Sequence, residues 1–176
     1  MKRSMLWISI SFALLLIIAA IIIFTTRGEK GVAELPFETI EIAEIPGTGF
    51  EYQGLDPNLV IITGKGGIQQ LGNTISTTSQ SMLETLDFNK YLALVVFQGF
   101  KGTTLYGVEV QRITRLRNIV NIYAHFTERD PSIGAGDIVT SPYHIVKIPR
   151  QGLKGNIEFI LYANGEEAIR QTYTLP

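Results

Sequence analysis

Leu92-Ala93-Leu94-Val95-Val96-Phe97 carries six apolar side chains in a row, and no polar face can be drawn through it. A run this short, closed by Gln98-Gly99, reads as a strand covered on both faces at the centre of a sheet. The chain on its C-terminal side alternates instead. Tyr106, Val108 and Val110 fall on one side of a strand and Gly107, Glu109 and Gln111 on the other. Val120, Ile122, Ala124 and Phe126 then oppose Asn121, Tyr123, His125 and Thr127. This is the period of half-buried antiparallel strands, joined through Arg117-Asn118. Asn164-Gly165 marks a second hairpin, because both residues tolerate the positive φ of a type I′ turn. Strands are expected over Leu59–Thr63, Leu92–Gln98, Leu105–Leu116, Ile119–Thr127, Tyr143–Ile148, Ile157–Tyr162 and Ala168–Leu175. Short helices are expected near Gly66–Leu71 and Gln80–Leu86, capping an open sheet end. The fold class is therefore mainly β (α+β), a small antiparallel β-sheet sandwich or open barrel with one or two short helices.

The chain has 176 residues, 15 Lys and Arg against 16 Asp and Glu, no Cys and a mean hydropathy of +0.20. That length suits one domain able to bury its own core. Without Cys there are no disulfides, thiolate metal sites, Fe–S clusters or cysteine nucleophiles. A formal net charge of -1 gives no reason to expect a nucleic-acid partner, because such domains usually need a basic surface to neutralise phosphates.

The hydropathy is concentrated in Met5–Phe24, twenty residues without a charge. At about 1.5 Å per residue they reach about 30 Å as a helix, the thickness of a bilayer core. Lys2 and Arg3 precede the segment, so residues 1–4 are expected in the cytoplasm, 5–24 as a retained signal anchor, and the rest outside the cell membrane. A cleaved secretory signal fits less well, because cutting after Ala20 leaves Ile21-Ile22-Ile23-Phe24 behind. Residues 25–56 read as an acidic linker holding one short strand in Thr39–Ile45, and 57–176 as the extracytoplasmic domain. A solvated spacer suits this acidic stretch better than a cation site, because it has no regular ligand loop.

No catalytic constellation emerges. Ser141 or Ser132 could be combined on paper with His125 or His144 and Asp137 or Asp130, but no G-x-S-x-G turn presents a nucleophile. His125 falls on a polar strand face, while His144 shares a face with Val146 and Ile148 and reads as a hydrogen-bonded, partly buried residue. Two separated histidines do not make a metal site, and neither metal nor cofactor is expected. Gly64-Lys65-Gly66-Gly67 lacks phosphate-loop spacing and reads as a strand-to-helix turn.

Tyr91–Arg150 holds the most specific motifs. They are an apolar strand ending in Gly99, a turn at Thr103-Thr104 running into Tyr106-Gly107, the break Asp130-Pro131, and Thr140-Ser141-Pro142-Tyr143-His144-Ile145-Val146-Lys147-Ile148. The stretch resembles the C-terminal domain of the protease-complex subunit PrcB family. The upstream Leu35–Ile40 and Leu59–Thr63 are similar to the regions preceding that domain. The resemblance implies a small extracytoplasmic β domain, a non-catalytic partner of a surface protease, with no catalytic residues. A binding or assembly module is thus the first reading, a peptidase inhibitor or an unrecognised hydrolase the alternatives.

Loops carry contacts that packing does not require. Phe100–Leu105 and Asp130–Pro142 are the candidate protein-binding edge, with Phe100, Lys101, Thr103, Thr104, Tyr106 and Asp137 as site residues and Phe100 or Tyr106 as aromatic anchor. A simple meander through Tyr91–Thr127 would place both loops at one end. Arg112, Arg115 and Arg117 form the alternative basic surface.

Overall fold

In the computed structural model, which describes residues 31–43, 52–103, 105–128, 130, 132 and 139–176, the alternating and apolar runs become two stacked sheets. Nine strands are described: β1 (Ala33–Glu34), β2 (Glu38–Ala43), β3 (Asn58–Ile62), β4 (Tyr91–Phe97), β5 (Gly107–Leu116), β6 (Ile119–Thr127), β7 (Tyr143–Pro149), β8 (Gly155–Ala163) and β9 (Glu166–Leu175). Two helices, α1 (Lys65–Leu71) and α2 (Thr77–Glu84), fall between β3 and β4. One sheet runs β1-β5-β6-β8-β9 and the other β2-β7-β4-β3.

β4 accounts for the wholly apolar run. Leu92, Leu94 and Val96 enter the core between the sheets, with Ile122, Val146, Phe159 and Leu161. Ala93, Val95 and Phe97 face the opposite way, onto Ile68 and Leu71 of α1 and Leu83 of α2. Burying a Leu, Val or Ile of this kind contributes about 1.5–3 kcal/mol. The helices therefore cover a sheet face, whereas the sequence suggested that they cap a sheet end.

Three further features depart from the sequence reading. β6 and β8 pair in parallel, so the five-stranded sheet is mixed. The reason is β7, which lies between them in the chain but joins the other sheet. β4 and β5 lie in different sheets, which removes the simple meander. The acidic approach is built into the fold, β1 pairing with β5 and β2 with β7, and the compact unit starts at Ala33.

Among the described residues no helix is long and apolar enough to cross a membrane, and the expected span at Met5–Phe24 lies outside them.

The sheets are tied by His144. Its Nδ1 accepts a 2.7 Å hydrogen bond from the Val110 N–H of β5, where the ladder slips between Val110 and Arg112. Nε2, carrying the ring proton, lies 2.9 Å from Thr39 Oγ1 on β2. With both nitrogens engaged and 1% exposure, burial pushes the imidazole pKa down to about 4.

The registers give the sandwich two distinct ends. At one lie residues 52–57, 98–103, 105–106, 128 and 139–142 and the Asn164-Gly165 hairpin. At the other lie the Arg117-Asn118 turn, residues 150–154 and the start of β1, opposite Arg115.

Candidate functional site

The site grows from the last residues of β4. Phe97 pairs with Tyr143, and Tyr52 and Tyr143 flank its ring at centroid distances of 5.1 and 5.8 Å. Above this aromatic floor the backbone turns at Gly99, whose φ is +95. A Cβ there would lie 2.4 Å from the Leu55 carbonyl oxygen, so glycine alone permits the close approach. Phe100 N–H then donates to Gly54 O at 2.7 Å, fastening the 52–56 segment beside the turn.

Lys101 joins the second loop. Its N–H donates to Thr140 O, and Thr140 N–H donates to Lys101 O, both at 2.8 Å. Thr140 Oγ1 donates to Thr103 O at 3.0 Å. The loops named from sequence therefore meet, through this bridge and not through hairpin reversals.

The site residues fare differently. Phe100 and Tyr106 are half-buried, and Lys101 Nζ stands 5.4 Å above the Tyr106 ring. Thr103 is buried, so its side chain presents little surface. Thr104 and Asp137 lie outside the described residues. Arg112 stacks 4.3 Å above Tyr123, whereas Arg115 donates to the Arg117 and Gly152 carbonyls at the opposite end. The three arginines do not form one stripe.

Five large apolar side chains are exposed among the described residues: Ile42, Leu55, Met82, Val139 and Tyr173. Three belong to this end. Leu55 is 73% exposed beside Gly99, Val139 is 43% exposed next to the Thr140 bridge, and Ile42 is 42% exposed, opposite His144 at the end of β2. Sequence reasoning missed all three. Leu55 and Val139 sit in loops without periodicity, and Ile42 belongs to an alternation that reads as core-facing.

Three buried polar atoms without a protein hydrogen-bond partner among the described residues also gather here: Gln98 Oε1, Thr103 Oγ1 and Ser141 Oγ. On the rim, the Ser132 hydroxyl and N–H both donate to Asp130, holding its carboxyl below the usual range.

Among the described residues nothing assembles a triad. The nitrogens of His144 are taken by Val110 and Thr39, and His125 lies exposed on β6. Among the described residues this end offers apolar surface, exposed carboxylates, the Lys101 cation and open loop edges, the chemistry of a protein contact.

The order of elements through the site, apolar β4, bridged loops, bulged β5 and the β7 histidine, can be compared with known families. Residues 92–149 match the family model PrcB C-terminal. The PrcB C-terminal match covers about a third of the chain, opening inside β4 and closing with β7. It takes in both bridged loops and the cross-sheet histidine, and leaves Leu55 and Ile42 outside. No curated protein and no solved structure matches the chain.

Proposed function

We propose that this chain is a membrane-tethered, non-catalytic docking module that assists an extracytoplasmic protease, gripping it through the end formed by residues 52–56, 98–106 and 139–142. The observation that carries the reading is the clustering of Leu55, Val139 and Ile42 at the end where the loops are bridged. Isolated exposed apolar residues need no explanation, whereas three at one end favour a partner that covers them. The PrcB C-terminal match supports a protease-associated role, and the uncharged Met5–Phe24 supports the tether.

The test is site-specific photo-crosslinking in cells, with the reactive residue at Leu55, Val139 or, as control, Asn118 at the opposite end. A protease adduct from 55 and 139 and none from 118 is the expected result. Equal adducts from all three positions, or a protease adduct from 118 alone, would move the docking surface. Leu55→Asp with Val139→Asp should weaken capture of that protease at least tenfold, since truncating a well-packed anchor typically costs about 1–2 kcal/mol or more.

A further inference from the structure

The end opposite the docking loops has its own chemistry. Lys65, Lys90, Arg115, Arg117, Arg150 and Lys154 all lie there, at the close of β3 and β5, the start of β4 and the connection between β7 and β8. Glu34, Glu84, Asp87 and Glu158 are the described carboxylates beside them, and Glu158 is already paired with Arg170 at 3.0 Å. Of the six cations only Lys90 is ion-paired among the described residues, with Asp87 at 3.3 Å. Arg115 bonds to the Arg117 and Gly152 carbonyls and Arg150 to the Phe88 carbonyl, contacts that orient a guanidinium and leave its charge uncompensated. At the docking end the balance among the described residues reverses, with Asp56, Glu109, Glu128, Asp130 and Glu166 exposed, Glu167 paired with Arg170, and Lys101 as the cation of the bridged loops.

The route of the chain gives the basic end a direction. β1 enters the fold at Ala33, opposite Arg115. Eight residues lie between Phe24 and Ala33, and the nine Cα–Cα steps reach at most about 30 Å when fully extended. If 5–24 span a bilayer, as the proposed tether requires, this end is held within that distance of the headgroups. With the basic end against the headgroups, the docking loops would stand a strand length farther out, about 20–35 Å for strands of seven to ten residues.

We infer that the basic end rests on an anionic lipid surface, its unpaired lysines and arginines meeting headgroup phosphates, so that the docking loops point away from the membrane. The inference draws its direction from the tether proposed above. Its test separates the two.

The chain has no Cys, so a single labelling cysteine can be introduced. Asn118→Cys reports the basic end. Gly102→Cys, where an added Cβ meets nothing within 4 Å, reports the docking end. Full-length protein is incorporated into phosphatidylcholine vesicles, with or without phosphatidylglycerol, that carry a headgroup-attached quencher. With phosphatidylglycerol, quenching at 118 should exceed that at 102 by about tenfold, a difference that fades as salt is raised. Arg117→Glu with Lys154→Glu, both exposed, should return it to the phosphatidylcholine value. If that pair lowers the melting temperature, Lys65→Glu with Lys154→Glu is read instead.

Equal quenching at the two positions, or quenching at 118 indifferent to charge reversal, overturns the inference. Retention in phosphatidylcholine vesicles through an alkaline wash reports the tether separately. A chain washed out of those vesicles that still shows phosphatidylglycerol-dependent quenching at 118 keeps the lipid contact and removes the tether.

Discussion

His144 is placed so that only its neutral, Nε2-protonated form fits: Nδ1 faces a backbone N–H, and a proton there would set two donors against each other. The folded pKa of about 4 lies below the ordinary 6.5, so between these values the unfolded chain binds a proton that the folded one refuses. Stability from this residue is complete above about pH 6.5 and is lost as pH falls towards 4, a change of about 2–3 kcal/mol. Urea unfolding at pH 7, 5.5 and 4.5 should show that loss. His144→Asn, which keeps an acceptor for Val110, should flatten the slope while costing about 1–2 kcal/mol at pH 7 in lost packing. Alternation with Val146 and Ile148 was enough to read His144 as hydrogen-bonded. Its partners were not legible, because Val110 reaches it through a strand bulge, and a bulge leaves no period in a sequence.

At the scale of elements, α2 is fastened by its first turn. Ser76 caps it by accepting from Ser79 N–H at 2.9 Å, and Tyr143 OH accepts from Ser76 N–H at 2.9 Å while lying 3.0 Å from Ser79 Oγ. Glu41 of β2 closes the group, 3.3 Å from the same hydroxyl. One phenol thus joins α2, β7 and β2. Tyr143→Phe should lower unfolding stability by about 1–3 kcal/mol, because it leaves the Ser76 N–H without its acceptor and removes one of the two hydroxyl partners of buried Ser79. Thermal melting checks this, and a loss under 0.5 kcal/mol, estimated from the melting shift, would mean that water replaces the phenol. Gly99→Ala should cost more than about 2 kcal/mol and loosen the 52–56 segment, read as faster amide exchange at Phe100. Most strands were legible from Leu92–Phe97 and the alternating runs because a strand's environment repeats every residue or two. The sheet to which each strand belongs was not, since the chain between β4 and β5 carries no mark of crossing from one layer to the other. The docking end was half legible. Gly-rich, aromatic loops announced Phe100 and Lys101, whereas Leu55 becomes part of the site only through a contact with Gly99, distant in sequence.

For the molecule as a whole, β1 and β2 are structural. A chain starting at Gly31 should melt as one starting at residue 25 does. One starting at Pro57 loses an edge strand from each sheet and the Thr39 contact of His144. Its unfolding stability should fall by about 3 kcal/mol or more, some 6–12 °C in Tm for a domain of this size. Equal melting of the two chains would reduce β1 and β2 to ornament. Composition and hydropathy set only the expected size of the domain. They could not show that an acidic, polar stretch supplies edge strands, because edge positions tolerate charge. The same pairing sets a clock for synthesis. Thr39 and His144 stand 105 residues apart, and at about 5–20 residues per second β2 waits about 5–20 s for the strand it must join. The parallel partnership of β6 and β8 likewise waits until β7 has left for the other layer, which makes closure of the sandwich a late and slow event in the life of the nascent chain. Until then Leu92–Phe97 emerges with neither face covered, and the newborn chain depends on whatever shields that hexapeptide while its C-terminal hairpin is still being made.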